Sequence, residues 1–86
     1  MQITVSFYGP FRDWVDASEK TFELPKHATI RELRRAIIAS IKQNKPDFDE
    51  GLMTVSAFAV NEQLVNDEHV LQDNIRAHIL PPVNGG

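Results

Sequence analysis

One segment of this chain has helical periodicity, and the segments around it alternate between apolar and polar residues. The helical segment, HATIRELRRAIIASIKQN, covers residues 27–44, and Thr29 followed by Glu32 forms a capping box near its start. Its apolar residues recur along one face at helical spacing: Ile30, Leu33, Ile37, Ile38 and Ile41. A single amphipathic helix cannot bury this face alone, so it must pack on a surface built by the other segments.

Those other segments predict a sheet. MQITVSFY, KTFEL, MTVSAFAVN and IRAHIL alternate apolar and polar residues, which is typical of half-buried strands, and a turn at residues 61–63 leads into a short LVN. The segment KPDFDEG after the helix is predicted as a loop. The expected order is β-β-α-β-β with short connections. This predicts an α+β fold in which one mixed sheet packs on one main helix.

Composition excludes several classes of protein. At 86 residues we expect a single domain over residues 1–86, with a flexible tail at residues 82–86. The net charge of −3 argues against nucleic-acid and anionic-membrane binding, and no apolar run is long enough for a membrane span. No signal peptide is visible, so the expected location is the cytoplasm. The absence of cysteine excludes disulfides, thiolate metal sites and a cysteine nucleophile.

The interior of the sequence offers no catalytic constellation. His27, His69 and His78 do not have the spacing of metal ligands, so neither a metal site nor a bound cofactor is expected. The acidic residues 47–50 lack the ligand pattern of a calcium loop. The helix arginines at positions 31, 34 and 35 are interpreted as a solvated face. No nucleophile elbow or glycine-rich phosphate loop is present.

The C-terminal stretch HILPPVNGG is the most specific feature. Pro81 and Pro82 cannot donate to a sheet ladder, so the last strand must stop near Leu80, and the chain then continues in an extended conformation. Gly85 and Gly86 carry no side chain and could enter a tunnel too narrow for any Cβ. The terminal carboxylate would then be the reactive group, provided that another enzyme activates it.

This tail resembles that of the small subunit of molybdopterin synthase, within the ubiquitin-like sulfur-carrier family. ITVSFYGPFRDWV is similar to the first strand and loop of that family, ATIRELRRAI to its helix entry and FAVNEQLV to its Ala-Val-Asn strand and turn. LQDN stands where the family commonly has Leu-x-Asp-Gly, and Asn74 tolerates left-handed backbone. The chain departs from the family at Ile75 and Arg76, where an acidic pair is common, and Asn84 is unusual before the diglycine.

The resemblance implies a β-grasp fold and a carrier that is not itself an enzyme. Gly86 would be adenylated by a ubiquitin-activating-like adenylyltransferase that uses ATP, and then converted to a thiocarboxylate. The large subunit of molybdopterin synthase, in a heterotetramer, would receive the sulfur for the molybdenum or tungsten cofactor. The residues expected to enter the partner are Pro81, Pro82, Val83, Asn84 and Gly85.

Two alternatives stay open on the sequence alone. The chain could carry sulfur for another pathway, such as thiamine or a secondary metabolite, or it could be a ubiquitin-related modifier joined to lysines through Gly86.

An exposed apolar patch is expected to dock the partner, with Leu80 opposite the inward side chains of its strand. The candidates for this patch are Phe58, Leu64, Leu80 and Val83, with His78 at its edge.

Overall fold

The computed structural model describes residues 1–82. It contains five strands, two α-helices and one turn of 3-10 helix, Gly9–Asp13. The strands are β1 (Gln2–Phe7), β2 (Glu19–Glu23), β3 (Ala57–Val60), β4 (Gln63–Val65) and β5 (Ile75–Leu80), and the α-helices are α1 (Ile30–Asn44) and α2 (Glu50–Val55). None of the helices in residues 1–82 is long and apolar enough to cross a membrane.

The five strands form one mixed sheet in the order β2-β1-β5-β3-β4. The central strand β5 runs parallel to β1 and antiparallel to β3. Alternation places one side of each strand against α1, and that side forms the core. This architecture is the β-grasp fold, which confirms the predicted fold class.

Helix α1 begins where the capping pattern predicts. Thr29 is the N-cap, and its backbone N–H donates to Glu32 Oε1 at 3.2 Å, which satisfies one of the free donors at the helix start. Ile30, Leu33 and Ile37 are fully buried against the sheet. Local pattern and tertiary packing therefore agree over this helix.

Two predictions for the segment after α1 are wrong: the end of the loop over residues 45–51 and the start of the third strand at residue 53. Residues 50–55 form α2, capped by Asp49, whose side chain accepts from the Gly51 N–H at 2.9 Å. The strand begins only at Ala57. The segment from Met53 alternates well enough to predict a strand, but it carries a helix cap just upstream, and burial of Met53 against the core selects the helix.

The third and fourth strands are joined by a two-residue turn, shorter than the three residues predicted. Asn61 and Glu62 both have positive φ, at 51° and 67°, and Gln63 already pairs with Val60. Two left-handed residues in a tight hairpin are the signature of a type I′ turn. Asparagine tolerates this conformation, whereas glutamate pays a steric cost for it.

We therefore expect Glu62→Gly to raise the free energy of unfolding by about 0.5–1 kcal/mol, since glycine removes the clash at positive φ. Chemical denaturation measures the change. Glu62→Ala is the control because it removes the carboxylate but keeps the strained backbone. Equal stabilisation by the alanine variant would show that charge, rather than backbone conformation, sets the cost at this position.

Candidate functional site: the root of the C-terminal tail and the outer face of the sheet

The C-terminal tail leaves the domain from the centre of the sheet. Strand β5 ends at Leu80, as the prolines predict; Pro81 is partly buried and Pro82 is exposed. The remaining tail candidates, residues 83–86, lie outside the described residues.

Pro81 is held in place by a close contact with the chain after β1. Gly9 has a φ of +56°, and a Cβ built there would lie 3.1 Å from Pro81 Cγ. Any other L-residue at position 9 would therefore be strained twice, by the backbone conformation and by the proline ring. The contact joins positions 72 residues apart and orients the first residue of the tail.

A second contact, between Tyr8 and His78, lies next to the contact of Gly9 with Pro81. The Tyr8 hydroxyl and His78 Nδ1 lie 2.7 Å apart and form a hydrogen bond, and the two rings stack with centroids 5.8 Å apart. Tyr8 is 43% exposed, so the pair lies at the surface. Sequence reasoning identified His78 but missed Tyr8 and Gly9, because no local pattern relates positions about 70 residues apart.

The outer face of the sheet, away from α1, carries an apolar strip. Leu64 lies opposite Ala59, which lies opposite His78, so these three side chains form one row across β4, β3 and β5. The next row pairs Ala57 with Leu80. We define the apolar strip as Ala57, Ala59, Leu64 and Leu80. It ends beside the root of the tail because Leu80 directly precedes Pro81.

Leu64 and Leu80 differ in exposure. Leu64 is 71% exposed, which fits the predicted patch. Leu80 does lie on the side opposite Ala77 and Ile79, as predicted, but it is partly buried instead of exposed.

The prediction that Phe58 belongs to the exposed apolar patch is wrong. It is fully buried, pairs with Ile79 and Val65, and lies under the Arg34 guanidinium at 4.9 Å from its ring centroid. Strand alternation puts Phe58 on the same side as the buried Val60, so its period-two relation to Val60 was the signal that could have excluded it.

Arg34 was predicted to lie on a solvated face of α1, and this prediction is wrong. Its Nη1 donates to the carbonyls of Met53 and Ser56 at 2.6 and 2.8 Å, and its Nη2 donates to Asp67 Oδ1 at 2.8 Å. Only 17% of its side chain is exposed. Arg34 is therefore a structural link between α1, the end of α2 and the loop before β5.

The part of the chain covered by residues 1–82 contains no cluster of three histidine, aspartate or glutamate side chains that could hold a metal ion. The chemically distinctive region of the domain is thus the tail root with the apolar strip beside it. This arrangement can present the chain end and an adjoining docking surface to one partner.

Comparison with known proteins points to carriers of this shape. The model of the ThiS family matches residues 5–86. A comparison with the sequences of curated proteins gave no match.

Solved structures resemble the chain over nearly its whole length. A protein of Pyrococcus furiosus that is described as a candidate molybdopterin converting factor, subunit 1, is 26% identical over 95% of this chain and 98% of its own, with a TM-score of 0.70. A chain of the complex of subunits 1 and 2 of the molybdopterin-converting factor from Helicobacter pylori is 29% identical over the full length of both, with a TM-score of 0.61. Small archaeal modifier protein 1 of Haloferax volcanii reaches a TM-score of 0.76 over 95% of this chain and 98% of its own, at 10% identity, and shows the fold alone.

Proposed function

The chain belongs to the ThiS family of ubiquitin-like sulfur carriers, which are carriers without catalytic activity of their own, and from this we propose that it delivers sulfur for molybdopterin synthesis as a thiocarboxylate on Gly86. The observation that carries the proposal is the tail: it follows the central strand β5 in the sequence, and the family match extends through it to residue 86. The proposal requires a free carboxylate at Gly86.

The chemistry would take place in partners. A carboxylate oxygen of Gly86 would displace pyrophosphate from ATP held by a ubiquitin-activating-like adenylyltransferase, giving an acyl-adenylate. Hydrosulfide would then displace AMP and leave the thiocarboxylate directly; a persulfide donor would instead give an acyl disulfide, whose S–S bond a thiol must reduce. This chain contains no cysteine, and a terminal thiocarboxylate needs none. Its own task is to present the tail at full reach, for which Gly9 and Pro81 orient the root.

The choice of the molybdopterin pathway rests on two similarities. The first is that the solved relative at 29% identity comes from a complex of subunits 1 and 2 of a molybdopterin-converting factor, and the one at 26% is described as a candidate for subunit 1 of such a factor. The Pro-Pro-Val segment before Asn84 and the diglycine is the second, since it resembles the tail of the small subunit of molybdopterin synthase. We propose that the large synthase subunit binds the apolar strip while residues 81–86 enter its active site.

Intact-mass measurement tests this function. The chain is incubated with the activating enzyme, ATP and a sulfur donor, and exchange of one oxygen for sulfur is expected. The loaded chain is then mixed with the large subunit and the pterin precursor, and molybdopterin formation is measured. Loading without transfer would assign the carrier to another pathway, such as thiamine synthesis, and formation of a lysine conjugate would make it a protein modifier.

Leu64→Asp tests the docking surface. Burying a leucine side chain contributes about 1.5–3 kcal/mol, so the variant is expected to bind the large subunit about tenfold more weakly or worse. Calorimetric titration measures the affinity. Because Leu64 is 71% exposed, stability should change little.

Val55→Asp is the matched control for Leu64→Asp. Val55 is a comparably exposed aliphatic residue, at 61%, but it lies on α2 outside the apolar strip. Its substitution should leave the affinity within about twofold. Equal losses from both variants would show that net charge governs binding and would remove the strip from the interface.

A further inference from the structure

Strand β2 lies at an open edge of the sheet, the edge opposite β4. Met1 and Leu24 exchange two hydrogen bonds, both 2.9 Å long, and the Phe7 N–H donates to the Ser18 carbonyl at 2.9 Å. Hydrogen-bonded pairs alternate along an antiparallel ladder, so residues 18, 20, 22 and 24 turn their backbone groups toward β1. Glu19, Thr21 and Glu23 therefore turn their backbone N–H and C=O groups away from the sheet.

A cavity follows this free edge on the side of the sheet that faces α1. It has a volume of about 360 Å³ and lies between β2, the loop at residues 14–17 and the last turns of α1. Phe7, Trp14, Val15, Phe22 and Ile41 supply its apolar lining. The volume falls in the range of small-ligand and side-chain pockets. A strand added to β2 would lie about 4.8 Å from it, so alternate side chains of that strand would point into this cavity.

The charges along β2 are segregated by face. On the cavity side, Lys20 Nζ donates to Ser40 Oγ at 2.5 Å, and none of the ion pairs among residues 1–82 includes it. On the other side stand Glu19 and Glu23, whose side chains remain 53% and 70% exposed although Glu19 is paired with Arg76 and Glu23 with the terminal amine. Charged side chains at an edge oppose pairing with a like edge. This segregation instead favours a strand of complementary pattern.

We propose that the edge of β2 binds an extended peptide segment of a partner protein as a sixth, antiparallel strand. Backbone hydrogen bonds to residues 19, 21 and 23 would supply affinity, as in other cases of strand addition. The segment would place an apolar side chain in the cavity and an acidic one beside Lys20. On its other face, basic residues would lie opposite Glu19 and Glu23, where opposite charges stabilise a cross-strand pair.

This site is separate from the proposed carrier surface. The apolar strip lies on β3, β4 and β5, whereas the cavity lies on the opposite face of the sheet and at the β2 edge. The peptide and the carrier's partner could therefore bind at the same time. The inference does not depend on the fate of Gly86.

A synthetic peptide tests the site directly on the full chain. The probe is acetyl-Ser-Lys-Ile-Thr-Asp-Lys-Ile-amide, which, when antiparallel to β2, sets aspartate opposite Lys20 and lysines opposite Glu19 and Glu23. Fluorescence of Trp14, the only tryptophan, reports binding because Trp14 lines the cavity. Amide NMR shifts locate the peptide, and we expect them along β2 and the end of α1.

The matched probe is the same peptide N-methylated at both lysines, which keeps every side chain but removes two N–H groups that would pair with β2. We expect its affinity to fall about tenfold or more, the effect of losing two hydrogen bonds. Equal affinity for the two peptides, shifts confined to Leu64 and His78, or no saturable binding at millimolar peptide would each overturn the proposal.

A protein variant provides the reciprocal test. Thr21→Pro removes an outward-facing N–H that β1 does not use, and proline is tolerated in edge strands for that reason. We expect this variant to bind the peptide about tenfold more weakly, while Thr21→Val, which keeps the N–H, stays within about twofold. Unchanged affinity in a folded Thr21→Pro chain would overturn the proposal. If that chain fails to fold, the two peptides decide the question on the unsubstituted protein.

Discussion

Deletion of Gly86 is expected to abolish sulfur loading while leaving the fold intact. Under the proposed function, the activating enzyme acts on a carboxylate at a set reach from the domain, and removing one residue shortens that reach by about 3.4 Å. A misplacement of about 1 Å can already cost about 100-fold in rate, so loading should fall at least that far. Intact-mass analysis after incubation with the activating enzyme, ATP and a sulfur donor measures it.

Adding one alanine after Gly86 should be equally damaging, since it moves the carboxylate outward and places a Cβ beside it. The matched control is one alanine added before Met1, which changes the length of the chain but leaves the tail untouched. Loading of the deleted or extended chain at the normal rate would exclude Gly86 as the carrier of sulfur. A loss of loading in the control as well would show that the assay reports something other than the terminus.

Replacement of Arg34 by methionine is expected to lower the free energy of unfolding by about 2–3 kcal/mol. The variant keeps much of the apolar stem but loses the hydrogen bonds to Met53, Ser56 and Asp67. A hydrogen bond to a charged group contributes about 1.5–3 kcal/mol, and the losses of three bonds made by one side chain do not simply add. For a domain of this size the melting temperature should drop by more than about 10 °C.

Arg35→Met is the control for Arg34→Met. Arg35 is the next residue of α1 and is exposed, so its substitution should change stability by no more than about 0.5 kcal/mol. Thermal and denaturant unfolding of both variants measure the difference. A similar loss in both would indicate that overall charge or helix propensity, and not the bonds of Arg34, accounts for the effect.

The resemblance noted from the sequence is confirmed at the level of the family, since the ThiS model covers residues 5–86. The molybdopterin pathway and the roles of residues 81–86 remain proposals. The exposed apolar strip was partly predictable: Leu64 is exposed and His78 borders the strip, but Phe58 belongs to the core. A chain pattern identifies apolar residues more readily than it identifies the side of the sheet on which each will lie.

The sequence by itself determined the features that depend on local pattern. Helix α1 follows from its capping box and period of 3.6, and the end of β5 at Leu80 follows from the two prolines. Asn74 was expected to tolerate left-handed backbone, and its φ is +62°. These features depend on residues a few positions apart, whose geometry is restricted before the chain folds.

Only the tertiary structure decided features that join distant parts of the chain. The contact of Gly9 with Pro81, the bond of Tyr8 to His78 and the bonds of Arg34 all depend on which strands and helices become neighbours. The same holds for the second half of α2, where the alternating pattern from Met53 predicts a strand and burial of Met53 selects a helix. The free edge of β2 likewise exists only because the strand order leaves that strand outermost. Strand order and register depend on the whole core, because the apolar faces of all the elements must be buried together, and no local spacing encodes that requirement.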